Sequence, residues 1–256
     1  IAAANGCAAV TAQNTITITE LPVATFSYAG TPYCSNAANP TVTLGGSTAG
    51  TFSEKNNDAG LVFANAGTGE VDIAGSTAGS YTVVNTIAAA NGCDAVTAES
   101  AIVITALPVA TFSYAGTPYC SNAADPSPTL GGSSAGTFTS TNGLVFVDAA
   151  TGEVDISEST AGTYTVTNTI AAANGCAIVT AQNTIIITAL PVGTFSYSGS
   201  PYCKNAADPS PSMDGATGTF SASGNVGALA LNTTTGVVDL SASTVGTYTV
   251  TNTIAA

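Results

Sequence analysis

The chain has 256 residues with two lysines, no arginine and no histidine against fifteen acidic residues, which gives a formal net charge of −13. Because nucleic acids and anionic membranes are bound through Lys and Arg, this balance excludes nucleic acid as a partner and argues against docking on lipid. No apolar run approaches the ~20 residues that cross a bilayer. We therefore expect no membrane insertion. Histidine, the side chain most often used for acid–base catalysis near neutral pH, is missing, so we also expect no enzyme and no cofactor.

One unit is repeated along the whole chain. The segment Ile-Ala-Ala-Ala-Asn-Gly-Cys begins at Ile1, Ile87 and Ile170, and its first three residues return at Ile254. Tandem copies this alike are typical of proteins that extend or display a surface many times, since an active site seldom needs near-identical copies. The repeat therefore favours a structural or multivalent function over catalysis.

Leu-Pro dipeptides mark the joints between the copies. Each dipeptide follows an alternating apolar run, and proline cannot donate to a strand ladder, so we predict that a module ends there. Residues 1–21 are then the last strand of a preceding module, which is cut by the start of the chain. The complete modules are predicted at 22–107, called the first module, and 108–190, called the second, and the third module, 191–256, lacks its last strand.

The residue types predict an all-β chain. Thr and Val favour strands, the Gly, Asn and Pro clusters between them favour turns, and no stretch holds a capped 3.6-residue period. Seven short strands separated by turns are typical of a β-sandwich. In the first module we predict strands near 23–28, 41–44, 50–53, 61–64, 70–73, 80–88 and 95–105.

Two sequence features refine this module. The last two strands are joined through Asn91-Gly92, which favours a type I′ turn, so we expect them to pair antiparallel. Phe26 and Tyr28 alternate on one strand face, and we predict that they pack in the core rather than form a sugar-stacking platform. Tyrosines beside proline and cysteine are our candidates for a contact surface with a neighbouring module or a ligand: Tyr33, Tyr119 and Tyr202.

Six cysteines occupy matched places, three after Pro-Tyr (Cys34, Cys120 and Cys203) and three after Asn-Gly (Cys7, Cys93 and Cys176). Cysteines in register in small β modules predict disulfides and an oxidising compartment. Metal binding is disfavoured because each module has two cysteines, no histidine and no nearby carboxylate cluster.

Two pairing schemes fit the register of the cysteines. The first joins Cys34 to Cys93 and Cys120 to Cys176, which leaves Cys7 and Cys203 for neighbouring modules or chains. The second crosses the joints, in the pairs 7–34, 93–120 and 176–203. It requires a reach back along a strand of about 40 Å, at ~3.3 Å per residue, whereas bonded Cα atoms lie within ~7 Å. We favour the first scheme.

Paired carboxylates recur in two copies. Glu70 with Asp72, and Glu153 with Asp155, alternate along a strand and so share a face, where they are candidates for a calcium site. The third copy has Val237 in place of the glutamate. We predict a solvated strand face rather than a metal site.

The sixth predicted strand begins with Gly79-Ser80-Tyr81, which resembles the tyrosine corner of immunoglobulin-like domains. The series Thr-Phe-Ser-Tyr, Pro-Tyr-Cys, Gly-Thr-Phe, Thr-Gly-Glu-Val-Asp, Gly-Thr-Tyr-Thr-Val and Asn-Gly-Cys resembles the tandem immunoglobulin-like repeats of giant Bacteroidota cell-surface adhesins. These include gliding-motility adhesins and other proteins of the type IX secretion pathway. The resemblance implies a secreted bacterial rod of β-sandwiches at the cell surface, without catalysis.

We therefore predict a structural segment of an extracellular filament or adhesin stalk, and the alternative is a repeat-based glycan- or ice-binding protein. The missing initiator Met and signal peptide predict a mature or excised segment of a secreted protein. Its partner is expected to be itself, through further repeats or head-to-tail copies, with lateral bundling or surface glycans as further contacts. Either the chain is a window on a longer array, or residues 1–20 of one copy complete the third module of another.

Overall fold

The computed structural model describes residues 5–46, 49–132, 135–224 and 227–255, and every regular element in these ranges is a β-strand. The predicted all-β fold of tandem sandwich modules is confirmed. All seven strands predicted for the first module are present, and an eighth, Tyr33–Cys34, lies between the first two. The strands of this module are β1 Phe26–Tyr28, β2 Tyr33–Cys34, β3 Val42–Leu44, β4 Thr51–Glu54, β5 Phe63–Asn65, β6 Glu70–Val71, β7 Gly79–Ile87 and β8 Val96–Thr105.

The second module repeats this order of strands. Its strands are β9 Phe112–Ser113, β10 Tyr119–Cys120, β11 Thr129–Leu130, β12 Thr137–Ser140, β13 Val145–Asp148, β14 Glu153–Asp155, β15 Gly162–Ile170 and β16 Val179–Thr188. The third module contains β17 Phe195–Ser196, β18 Ser212–Met213, β19 Thr219–Gly224, β20 Ala230–Leu231, β21 Val238–Asp239 and β22 Tyr248–Thr253.

Each complete module has one four-stranded sheet, in the order β2-β8-β7-β4 in the first and β10-β16-β15-β12 in the second. The long hairpin β7–β8 forms the centre of the sheet in the first module. β2 pairs in parallel with the outer edge of β8, with Tyr33 opposite Ile104 and Cys34 opposite Thr105. Short pairs, β1 with β3 and β5 with β6, supply the strands that face this sheet. β2 is therefore fixed at the end of β8, beside the joint to the next module.

The core lies between these layers and follows the alternation of the strands. In the first module it contains Phe52, Val71, Val83 and Ile102. Phe26 and Tyr28 join it as predicted, and Phe26 packs edge-on against Phe52 with ring centroids 5.1 Å apart. The second module has the matching cluster: Phe112, Tyr114, Phe138, Leu144, Val154, Ile156, Tyr164, Val166, Ile185 and Ile187.

Turn chemistry sets the ends of the long strands. Asn91 and Gly92 both have positive φ, at 50° and 83°, as the predicted type I′ turn requires, and β7 and β8 pair antiparallel. The Tyr81 hydroxyl donates to the Thr77 carbonyl oxygen at 2.9 Å, which is the predicted tyrosine corner. Because β2 pairs with the last two residues of β8, the turn that precedes β8 lies at the opposite end of the module from β2.

Candidate functional site: the joint between modules

A disulfide joins Cys34 of the first module to Cys176 of the second, across 142 residues of sequence. Their Cα atoms lie 4.6 Å apart, and the two residues are 2% and 5% exposed. Together with the Leu107-Pro108 peptide, this bond gives the joint two covalent connections. The joint is therefore the most chemically distinctive place in the described part of the chain.

The strand order explains why these two cysteines meet. β2 holds Cys34 beside Thr105, the last residue of β8 and the end of the first module. In the second module the β15–β16 hairpin runs toward the joint and back, so its Asn-Gly turn, which carries Cys176, lies against the joint. The Pro-Tyr-Cys cysteine of one module thus faces the Asn-Gly-Cys cysteine of the next.

The predicted pairs 34–93 and 120–176 are wrong, because Cys34 and Cys176 are bonded to each other. Cys93 lies in the turn that precedes β8, whereas Cys34 lies beside the end of β8. The ten residues of β8 separate the two ends by about 33 Å at ~3.3 Å per residue, far beyond disulfide reach. The second scheme, 7–34, 93–120 and 176–203, is also wrong, because Cys34 and Cys176 bond to each other and Cys7, Cys93, Cys120 and Cys203 are free.

Backbone packing at the joint depends on a glycine. Gly175 has φ of +81°, and a Cβ built on it would lie 2.0 Å from the Pro32 carbonyl oxygen and 3.2 Å from Tyr33 Cα. Gly92, at the matching place in the first module, has φ of +83° and would meet nothing within 4 Å. The turn of the second module is therefore pressed against β2 of the first.

Serine side chains tie β2 and its counterpart to the joint peptide. Ser35 accepts a hydrogen bond from the Leu107 N–H at 3.0 Å, and its own N–H donates to the Thr105 carbonyl oxygen at 2.8 Å. Ser121 makes the same two bonds, to Leu190 and Thr188, at 3.0 and 2.9 Å. The chain leaving each complete module is thus held beside its Pro-Tyr-Cys segment.

Two of the candidate contact tyrosines, Tyr33 and Tyr119, lie in β2 and β10 beside these joints. The hydroxyls of Tyr33 and Tyr119 donate within their own modules, to Ala29 and Ala115, and partial burial raises their pKa. Tyr202 donates to Ser198 at 2.5 Å in the same way. The hydroxyls are engaged inside the modules, and the contact role remains a prediction.

The carboxylates considered for calcium serve local turns. Asp72 Oδ1 accepts from the Gly75 N–H at 3.1 Å, and Asp155 Oδ1 accepts from the Ser157 hydroxyl at 2.8 Å and the Glu158 N–H at 3.0 Å. These bonds to Ser157 and Glu158 lower the pKa of Asp155. Within the described residues, no three His, Cys, Asp or Glu side chains form a group that could hold a metal ion. Glu70 and Glu153 are half-buried beside these turns.

The third module presents an open groove. β22 pairs with β19 on one edge, and in the described ranges no strand occupies the other edge, where β8 and β16 lie in the complete modules. The groove encloses about 340 Å³, and its lining includes Tyr197, Leu240 and Val250. Their counterparts in the first module, Tyr28, Ile73 and Val83, are buried.

Residues 11–20 are exposed throughout and are not in a strand. Ile16 and Ile18 are 85% and 91% exposed, whereas Ile102 and Ile104, their counterparts in β8, are 0% and 2% exposed. In the described residues, therefore, the groove of the third module has no strand beside β22, and residues 11–20 have a strand-like sequence that is not paired in a sheet.

No protein-family model matches this sequence, and no curated protein does either. Among solved structures the chain is similar to the human CDH23 EC21-23 fragment, at 13% identity and a TM-score of 0.45, over 86% of this chain and 89% of that one. It is similar to extracellular cadherin domains 3-6 of protocadherin gamma B2, at 14% identity and a TM-score of 0.42, over 85% and 62%.

A third similar structure is a SusE-like surface-located polysaccharide-binding protein from the Bacteroides thetaiotaomicron heparin utilisation locus. It has 18% identity and a TM-score of 0.27, over 78% of this chain and 41% of that one. At these identities and TM-scores the likeness gives no ligand or partner for this chain. Among the described residues, no helix is long and apolar enough to cross a membrane.

Proposed function

We propose that this chain is a non-catalytic structural segment of an extracellular filament or adhesin stalk on a bacterial surface. The observation that carries the proposal is the Cys34–Cys176 disulfide, because it bonds two successive modules rather than stabilising one. An oxidising extracellular compartment is where such a bond persists. The division at 22–107, 108–190 and 191–256 is part of the proposal, and so is the bacterial source that the repeat resemblance implies.

Two covalent connections at one joint have a mechanical consequence. A single peptide linker lets two domains hinge in any direction, whereas the disulfide adds a second, laterally displaced connection that opposes hinging away from it. Under tension the bond also prevents the chain between Cys34 and Cys176 from extending. A stalk needs both properties, stiffness at its joints and a limit on unravelling.

Single-molecule force spectroscopy on the full chain, pulled from its two ends, tests this function. The disulfide hides 142 residues from extension, so we expect the fully unfolded contour length to increase by about 50 nm when a reductant is added. The variant C34S should show the longer length without reductant. The variant C93S removes a free thiol from the matching turn and should behave as the original chain does.

A contour length that does not change with reductant would contradict a disulfide that bridges the joint. Modules that extend at forces too low to register as separate unfolding events would contradict a stalk that resists tension. Either result would remove the basis for the proposed function.

A further inference from the structure

We propose that this chain associates side by side with a second copy of itself through an uncharged sheet face, which we call the threonine face. In the second module the threonine face is the outer side of β12, β15 and β16, three neighbouring strands of the four-stranded sheet. The inference rests on the proposed filament and names the surface through which its rods contact each other.

The alternation of these three strands builds the face. Tyr164 and Ile185 point into the core, so the residues between the core positions point outward. The outward residues stand opposite one another across the strands, with Thr169 between Thr137 on one side and Thr180 on the other. All of them are exposed or half-buried, and all but two are threonines: Thr137, Thr139, Thr163, Thr165, Thr167, Thr169, Thr180, Gln182, Thr184 and Ile186.

The other modules present the same kind of face on the equivalent strands. In the first module Thr86 lies between Thr51 and Thr97, and the one acidic residue of the face, Glu99, forms an ion pair with Lys55 at 2.8 Å. On β19 and β22 of the third module the outward residues pair as Thr219 with Thr253, Ser221 with Thr251 and Ser223 with Thr249. On these strands the face carries no net charge in any module.

The acidic residues of the second module lie away from this face. They are in β13, in β14 and in the loops: Asp125, Asp148, Glu153, Asp155 and Glu158. Because the chain has a net charge of −13, two copies repel each other over most of their surface. The threonine face is where two copies can approach with the least repulsion.

The chemistry of the face fits a copy of itself better than a sugar chain. Sites for small ligands are concave and lined by aromatic side chains, whereas this surface is an open sheet without an aromatic residue among its outward side chains. Twisted sheets pack face to face with their strands nearly aligned, and threonines pair favourably across strands. Contact between identical faces about a two-fold axis is the commonest form of self-association.

The size of the face determines how many modules must take part. Three strands spaced ~4.8 Å apart and paired over about 25 Å give about 350 Å² in each complete module. A stable, specific interface buries about 800 Å² on each partner. One module is therefore too small, and we expect a stable dimer to use the faces of more than one module.

Sedimentation velocity of the full chain tests the inference. The free thiols are first alkylated without reductant, so that the 34–176 disulfide is kept and no new cross-links form. We expect a concentration-dependent dimer. It should become tighter when salt is raised from ~10 mM to ~150 mM, because screening weakens the repulsion between acidic chains.

Charge variants locate the interface. Thr165→Glu places a charge on β15, the middle strand of the face, and should weaken the dimer at least tenfold. Thr129→Glu is the matched control, since it makes the same change at an exposed site in β11, outside the four-stranded sheet, and should leave the affinity within twofold. Adding Thr82→Glu, the change at the matching place in the first module, should weaken the Thr165→Glu dimer further.

A mixture tests whether identical faces meet. Chains with Thr165→Glu and chains with Thr165→Lys should associate with each other more tightly than either does with itself, because opposite charges then face each other. Equal weakening by Thr165→Glu and Thr129→Glu would overturn the inference, and so would a chain that sediments as a monomer at every protein and salt concentration.

A monomeric chain that binds a neutral polysaccharide, and loses that binding with Thr165→Glu, would assign the face to a sugar and overturn self-association. The force measurement on the joint between the first and second modules is made on single chains. A monomer that still shows the 34–176 clamp would therefore overturn side-by-side association and leave the stalk function standing.

Discussion

Glycine and cysteine act together at the joint. Gly175 supplies a positive φ for the turn and lets the backbone approach Pro32, and Cys176 follows it in sequence and bonds to Cys34. The Asn-Gly-Cys sequence therefore has two roles in an array, since it turns the hairpin and places the thiol on the preceding module. Cys93 has the first role in the first module, and its thiol is free in the single chain.

The glycine at the joint gives a prediction with a matched control. Gly175→Ala and Gly92→Ala place alanine at nearly the same positive φ, so both should lose about 1–2 kcal/mol of turn stability. Only Gly175→Ala also forces a Cβ against the Pro32 carbonyl oxygen. We expect a lower fraction of the 34–176 disulfide at equilibrium in a glutathione buffer for Gly175→Ala, with Gly92→Ala close to the original chain.

Quantitative mass spectrometry of alkylated thiols measures that fraction. Equal disulfide fractions in the two alanine variants would contradict close packing of the turn on β2.

Among the elements, the long hairpin β7–β8 contributes most of the residues of the four-stranded sheet in the first module. β8 contributes Ile102 and Ile104 to the core on one face, and the other face of the strand is half-buried or exposed. The same pattern holds for β16. Among the described residues of the third module no strand holds this position, and Tyr197 and Val250 are half-buried where Tyr28 and Val83 are buried.

Truncation on the two faces of β8 should separate these contributions. Ile104→Ala removes buried methylenes, so the free energy of opening of the β7–β8 hairpin should fall by about 2–5 kcal/mol. Val103→Ala changes a half-buried side chain on the opposite face and should cost less than ~1 kcal/mol. Native-state hydrogen exchange of the β7 amides measures both, and equal costs would contradict the assigned faces.

The long strands were predictable because turn residues bound them and their side chains alternate. Phe26 and Tyr28, the Asn91-Gly92 turn and Tyr81 all took the places that local chemistry indicated. β2 was missed because Tyr33–Cys34 is only two residues long and has no pattern of its own. Its parallel register beside the end of β8 depends on tertiary packing, and the wrong cysteine pairs followed directly from that omission.

At the scale of the whole molecule, the repeat places a Pro-Tyr-Cys cysteine beside the end of each complete module. Cys34 and Cys176 bond across the joint between the two complete modules, and Cys93 and Cys120, which hold the places matching Cys176 and Cys34, are free. The same rule, a Pro-Tyr-Cys cysteine bonded to the Asn-Gly-Cys cysteine of the next module, extends to an array of any length. Such an array would be covalently linked at every joint.

A disulfide map of the unreduced chain tests this rule most directly. The chain has only two lysines and no arginine, so an acid-specific protease is the appropriate reagent, followed by mass spectrometry of the linked peptides. We expect Cys34 linked to Cys176 within one chain. Peptides linking Cys34 to Cys93 and Cys120 to Cys176 would contradict the bridged joint, and with it the account of a stalk whose successive modules are bonded together.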